Sequence, residues 1–121
     1  MESYELNYNY DYKYDLLDMT IKDNFKFKES VELDDGVILD FDENNRPISL
    51  EIISASKVLS TDKKNLINPT IEMFINVSDE KIHVEVIFAY ELHNKSADIS
   101  IEKDIVNDYN IPAMETTLVS S

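Results

Sequence analysis

The sequence predicts an α+β protein that is mostly antiparallel β-sheet, a meander of hairpins with one short helix around residues 55–67. Apolar and polar residues alternate along several segments, and a period of two is typical of strands that bury one face. Asn, Asp and Gly residues, which favour turns, separate these segments. Only residues 54–68 depart from the period of two, and their spacing predicts the helix.

The first half of the chain contains five predicted strands, at residues 4–10, 16–22, 25–33, 37–41 and 48–52. Gly36 lies in the turn between the third and fourth strands. Asn44 and Asn45 form the next turn, because Asn tolerates the left-handed conformation better than most residues do. Pro47 suits the start of a strand, where no ladder hydrogen bond is missed.

The second half begins with the helical segment, in which Val58, Leu59, Leu66 and Ile67 have a loosely helical spacing. This spacing predicts a helix that is short or broken in its middle. Residues 71–77 and 82–92 then alternate and predict the clearest hairpin of the chain. We expect a turn at 94–96, a short strand at Ile99 and Ile101, a loop or helical turn over 103–109, and an extended segment over 113–119.

One stretch of the first half has a recognisable pattern. Its residues are Tyr10-Asp11, Asp15-Leu16-Leu17, the segment DGVILDFD at 35–42, and Leu50-Glu51-Ile52. Over residues 10–56 the chain resembles the Domain of Unknown Function 2283 family of small bacterial and archaeal proteins. Phe41 stands where that family usually has Tyr, and Asn45 where it usually has Gly. The resemblance implies a small, mostly antiparallel β-domain and no defined activity.

Length and composition predict one compact domain over residues 1–121, with a family-like β unit at 1–60 and a C-terminal β-hairpin extension at 70–121. The hydrophobic content of 43% is typical of a globular domain. The absence of Cys excludes disulfides, thiolate nucleophiles and cysteine-ligated metals. We expect neither a signal peptide nor a transmembrane helix, and therefore a cytoplasmic protein.

The formal net charge of −14 limits the classes of partner. A polyanion is repelled by phosphate backbones and by anionic membranes, so we expect neither nucleic acid nor membrane as a partner. The charge provides solubility, and it also suits a basic protein partner or bound cations.

An acidic stretch in the fourth and fifth predicted strands is the first candidate site. Its residues are Asp40, Asp42, Asn44 and Glu51, which match positions 1, 3, 5 and 12 of a calcium-binding loop. Asn45 replaces the Gly that such a loop needs, and Pro47 follows it. The alternative is a hairpin whose acidic residues stabilise its turn. Calcium is the one ion that this pattern suggests, and no other cofactor is expected.

A second polar row lies on the predicted strand 82–92 and consists of His83, Glu85, Glu91 and His93. Neighbours two apart on one strand face, such as His83 and Glu85, can converge on one zinc or manganese ion. His93 would lie about 30 Å from His83 in a straight strand, so the four residues cannot form a single site. The alternative is a solvent-facing row.

The tyrosines near the start of the chain are the third candidate, and the proposed interface residues are Tyr4, Tyr8, Tyr10 and Tyr12. Tyrosines are enriched at protein interfaces, since each offers apolar area and a hydroxyl group. The alternative is packing in the core with the hydroxyl groups at its rim.

Enzymatic activity is uncertain and is not the favoured prediction. Asp34 with Asp35, and Asp40 with Asp42, are carboxylate pairs, but acid–base catalysis needs a raised pKa in an apolar cleft. The sequence contains none of the common hydrolase or nucleotide-binding motifs.

Three functions therefore remain open. The favoured one is a non-enzymatic protein-interaction or self-association module that uses an edge strand or the tyrosines. The second is a calcium-binding protein that uses residues 40–51. The third, which the family resemblance implies, is an antitoxin-like partner of a basic toxin.

Overall fold

A computed structural model describes residues 2–120 and contains one nine-stranded β-sheet. The strands are β1 (Glu2–Asp11), β2 (Leu16–Ile21), β3 (Phe27–Asp34), β4 (Val37–Asp42), β5 (Pro47–Ile53), β6 (Thr70–Val77), β7 (Lys81–Leu92), β8 (Lys95–Val106) and β9 (Met114–Ser120). A four-residue helix, α1 (Ala55–Val58), and a 3₁₀ turn over Lys63–Leu66 lie between β5 and β6. The predicted mostly-β fold with one short helix is confirmed.

The strand order is β3-β4-β5-β2-β1-β9-β6-β7-β8. The sheet differs from the predicted mostly antiparallel meander in two respects. β1 pairs with β9 in parallel, with Tyr4 opposite Leu118, so the sheet is mixed. β5 pairs with β2, and two strands, β3 and β4, lie between them in the chain. The alternation of side chains identifies strands but does not specify which strands pair, because pairing depends on contacts between distant residues.

The core lies on one face of this sheet, which curls into a half-barrel. Buried residues recur at every second position along most strands, as on β7, where Ile82, Val84, Val86 and Phe88 are all buried. Ala55 and Leu66, from the two short helical segments, complete the core. Burial of each large side chain stabilises the fold by about 1.5–3 kcal/mol. The inner side chains of the sheet thus pack mainly against those of other strands of the same sheet.

The two edge strands, β3 and β8, approach each other at one point. Lys103 Nζ lies 2.6 Å from Asp34 Oδ2, although no ladder hydrogen bonds join these strands. The hydrogen bond from Lys103 lowers the pKa of the Asp34 carboxyl. A salt bridge between partly exposed groups adds little stability. Because β3 and β8 share no ladder, the half-barrel is open along this seam.

Strand β8 extends further than the sequence predicted. The expected loop or helical turn over 103–109 is wrong for residues 103–106, where the strand continues to Val106, and a turn follows at 108–109. Lys103 lies on the same face as Ile101 and Ile105, where its charge interrupts the apolar pattern. The ion pair with Asp34 explains how this lysine is accommodated.

The helical segment is broken in its middle, as predicted. α1 ends at Val58 with Leu59 as its C-cap, and Ser60 follows with a φ of 52°. A left-handed residue cannot continue a right-handed helix. The 3₁₀ turn at 63–66 then brings Leu66 into the core.

Left-handed backbone positions recur in the turns of the sheet. Asn45 has a φ of 60° in the turn between β4 and β5, as its residue type predicted. Gly36, in the turn between β3 and β4, has a φ of 77°, and a Cβ there would lie 3.3 Å from the carbonyl oxygen of Ile53. The backbone N–H of Ile53 donates to the Gly36 carbonyl, so this turn packs closely on the end of β5.

We expect Gly36→Ala to lower the free energy of unfolding by about 1–2 kcal/mol, the cost of the left-handed conformation for a residue with a Cβ. Urea denaturation would measure the change. Ser60→Gly is the matched control at another left-handed position and is expected not to destabilise the protein. Equal stability of Gly36→Ala and the wild type would contradict the strain assigned to this turn.

Candidate functional site

Asp15 connects the turn after β1 to helix α1. Its carboxylate accepts hydrogen bonds from the Tyr10 hydroxyl (2.7 Å), the Ser56 hydroxyl (2.6 Å) and the Ser56 backbone N–H (3.0 Å). The Asp15 carbonyl accepts a further bond from the backbone N–H of Ala55. These bonds join both ends of the family-like segment.

The environment of Asp15 favours its ionised form. Burial alone would raise the pKa of this carboxyl, but the hydrogen bonds from Ser56 and Tyr10 outweigh burial and lower the pKa below its ordinary value of 3.8. Burial also raises the pKa of the Tyr10 hydroxyl, and the hydrogen bond to Asp15 adds to the effect. The contacts hold the turn against the helix, which is a structural role.

Asp42, one of the four predicted calcium ligands, is buried in the turn between β4 and β5. Its carboxylate accepts hydrogen bonds from the backbone N–H groups of Asn44 (3.0 Å) and Arg46 (2.9 Å). It also accepts one from Nε of Arg46 (3.0 Å). The guanidinium of Arg46 in turn lies over the ring of Tyr4. Asp42 therefore stabilises its turn, in the way that the hairpin alternative describes.

Asp40 and Glu51, two of the other predicted calcium ligands, are not among the hydrogen-bond partners of Asp42. Asp40 accepts hydrogen bonds from the hydroxyls of Ser30 and Ser49. Glu51 lies opposite Ile38 on β4 and opposite Asp18 on β2. Calcium binding through these residues stays a prediction, and it would require rearrangement of the bonds around Asp42.

The tyrosines of β1 share the face of the core residue Leu6, and Tyr4, Tyr8 and Tyr10 pack partly buried against the core. The Tyr8 hydroxyl donates to the carbonyl of Leu66. These contacts match the packing alternative, with hydroxyl groups at the rim of the core. Tyr12 is 54% exposed and lies under the ammonium group of Lys63. A partner that contacts these tyrosines stays a prediction.

The outer face of the β7–β8 hairpin brings four polar side chains together. His83 lies opposite Asp104, and Glu85 lies opposite Glu102. Nδ1 of His83 is hydrogen-bonded to the Asp104 carboxylate, and this bond lowers the pKa of Asp104. Hydrogen bonding to Glu102 raises the pKa of Glu85. These are two cross-strand pairs at successive outward-facing positions.

The sequence identified His83 and Glu85 but missed their two partners on β8. His93 and Asn94 form the turn between Leu92 and Lys95, which pair with each other. A two-residue turn fixes the register of a hairpin, so counting back from it places Asp104 opposite His83. The sequence prediction put this turn at 94–96 and therefore lost the register. The structure places His93 in the turn, away from His83.

The fold and its sites define a curled, mixed β-sheet protein whose helices are too short and too few to form a second layer. In the described range 2–120, no helix is long and apolar enough to cross a membrane. Residues 7–56 match the family described as "Protein of unknown function (DUF2283)". No solved structure matches the chain.

Two archaeal proteins are similar to this chain. A Methanosarcina mazei protein named "Putative hypoxanthine phosphoribosyltransferase" is 31% identical over 112 residues, which cover 92% of this chain and 89% of the relative. An uncharacterised protein of Methanocaldococcus jannaschii is 39% identical over 64 residues, or 53% of each chain. The chain belongs to the same family as the Methanosarcina mazei protein, and its residues 7–56 are the DUF2283 segment.

We expect Asp15→Asn to lower the free energy of unfolding at neutral pH by about 2 kcal/mol, because hydrogen bonds to a charged group are lost. Since the folded protein holds the pKa of Asp15 below its ordinary value of 3.8, this stabilisation is present above that pH and is lost as the pH falls further. Denaturation curves measured from about pH 7 down to about pH 3 cover the range in which carboxyl groups titrate. They would show the difference in free energy of unfolding between wild type and Asp15→Asn shrinking as the pH falls.

Asp62→Asn is the matched control, because Asp62 is exposed and makes no capping hydrogen bond with its side chain. This variant is expected to keep the stability of the wild type at every pH. A gap between wild type and Asp15→Asn that stays constant with pH would contradict the assigned role of the carboxylate.

Proposed function

We propose that this protein is a non-enzymatic protein-interaction module that binds an extended, basic segment of a partner along strand β8. The observation that supports the proposal is the position of this strand. β8 is twelve residues long, lies at the end of the sheet and forms a ladder with β7 alone. Its outer backbone edge presents N–H and C=O groups with which another strand can pair.

The side chains of β8 indicate which sequence such a strand would have. Ile99 and Ile101 are half-buried on the inner face, while Asp98, Glu102 and Asp104 are exposed on the outer face. Residues that alternate along an added strand would face these two rows in turn. Apolar side chains would meet the isoleucines, and Lys or Arg side chains would meet the acidic row. Because Lys103 contacts Asp34, the part of the edge that β3 leaves free is residues 95–101. Asp98 lies within this part, and Glu102 and Asp104 continue the acidic row beyond it.

A basic partner suits this edge better than a second copy of the chain. Antiparallel pairing of β8 with itself would bring two acidic rows together, and like charges opposite each other destabilise a sheet. The net charge of −14 adds repulsion between copies but attracts a basic protein. Self-association was the other part of the sequence-based prediction. It is less favoured here than binding of a basic partner. An antitoxin-like partner of a basic toxin would be one particular case of the proposed interaction.

The name of the Methanosarcina mazei relative suggests transfer of a phosphoribosyl group to hypoxanthine. Proteins commonly hold phosphate groups at glycine-rich loops and helix N-termini. The one glycine of this chain lies in a tight hairpin turn, and α1 has four residues. Within residues 2–120 we find no such phosphate site, and we do not propose this activity for the chain.

Calcium binding at Asp40, Asp42, Asn44 and Glu51 remains the alternative function from the sequence. A calcium ion at these residues would have to displace Arg46 from Asp42. The geometry therefore favours the interaction module.

A fluorescently labelled peptide that alternates lysine and valine tests the proposal, with binding followed by fluorescence anisotropy. We expect saturable binding that weakens as salt is added, because salt screens the attraction between charges. The same peptide with glutamate in place of lysine is expected not to bind. A peptide with a central proline is expected to bind more weakly, since proline cannot donate a ladder hydrogen bond.

Two variants locate the peptide on the sheet. Ile101→Lys alters the proposed edge, and Phe27→Lys makes the same change in charge on β3, the opposite edge strand, where Phe27 is 56% exposed. We expect Ile101→Lys alone to weaken binding. Equal effects of the two variants, or equal affinity for the lysine and glutamate peptides, would refute the proposal. A stable homodimer that Ile101→Lys dissociates, seen by sedimentation velocity, would replace the basic partner with a second copy.

A further inference from the structure

We propose that the outer face of the β7–β8 hairpin binds a divalent transition-metal ion through His83, Glu85 and Glu102. One ligand atom from each of these residues lies within 4.8 Å of those of the other two. Within residues 2–120, no other three His, Asp or Glu side chains are so placed. Imidazole nitrogen together with carboxylate oxygen suits zinc and related ions, whereas calcium takes oxygen ligands.

The register of the hairpin creates this arrangement. Glu85 and Glu102 are directly opposite, and His83 is the next outward-facing residue on β7. Val84 and Val86 alternate with them and are buried in the core. The backbone that carries the three ligands therefore belongs to the packed part of the sheet. Ligands on regular strands are held more precisely than ligands on loops.

Asp104 orients the ring of His83 for metal binding. Its carboxylate is hydrogen-bonded to Nδ1 of His83, which leaves Nε2 as the nitrogen that can coordinate. A carboxylate that orients a histidine in this way is typical of the outer shell of zinc sites. Asp104 is thus a positioning residue rather than a ligand in this arrangement.

The two glutamates give the site an affinity for positive charge. Two carboxylates directly opposite each other on neighbouring strands repel. A divalent cation between them would neutralise both groups. The site is also open to solvent, so an ion can enter without movement of the backbone.

This inference does not rest on the proposed partner binding, although the two surfaces share Glu102 and Asp104. The three ligands lie on the outer face of the hairpin, whereas the partner would pair with the backbone edge of β8. The experiment below measures zinc directly, so that failure of one proposal does not imply failure of the other.

Titration of the protein with Zn²⁺, followed by isothermal titration calorimetry and by the NMR signals of the histidine rings, tests the site. The chain has two histidines, His83 and His93, so each ring signal can be assigned from single variants. We expect one zinc ion per chain and a change in the signals of His83 alone. Excess Ca²⁺ is expected not to displace the zinc, because the site includes an imidazole.

Three variants complete the test. His83→Ala and Glu102→Gln are each expected to weaken zinc binding by about tenfold or more, since each removes a charged or coordinating group. His93→Asn is the matched control and is expected to bind zinc as the wild type does, because Asn tolerates the left-handed conformation of that turn. The proposal fails if the wild type binds no zinc, if His93 is the ring that shifts, or if His83→Ala binds as tightly as the wild type.

Discussion

The fold depends on one requirement, which is that a large sheet without a layer of helices must bury its own face. Helix α1 and the 3₁₀ turn have four residues each and cover little apolar surface. A flat sheet of nine strands would leave its inner side chains in water, so the sheet curls until those of distant strands meet. Phe41 of β4 and Phe88 of β7 are both fully buried as a result. The open seam between β3 and β8 is the place where this closure is incomplete.

Because the apolar face of the curled sheet points inward, its polar residues lie on the outer face. Both proposed sites use residues of that face. Along β7 and β8 the outward positions are occupied by His83, Glu85, Glu102 and Asp104. The same strand β8 ends the sheet, so its backbone edge and its acidic row are adjacent. By contrast, Asp15 and Asp42 are buried, and their carboxylates are engaged with Ser56, Tyr10 and Arg46. Burial thus distinguishes the acidic residues that hold turns from those that remain available.

The residue patterns predicted correctly those features that depend on neighbouring residues in the sequence. Alternation identified most of the strands, Gly36 and Asn45 identified their turns, and the weak period after Ser54 predicted the broken helix. The parallel pairing of β1 with β9 could not be predicted in this way, since it joins residues about a hundred positions apart. Two smaller errors had local causes. Lys103 interrupted an apolar row and hid half of β8, and misplacing the turn at His93 and Asn94 concealed the partners of His83.

The position of β9 in the centre of the sheet has a consequence for biosynthesis. β9 lies between β1 and β6 but follows both of them in the chain. While residues 114–120 are still in the ribosome, β1 and β6 each have an unpaired edge and the sheet remains in two parts. Exposed edges of this kind can pair with other nascent chains. The completed sheet therefore forms only after β9 has been synthesised.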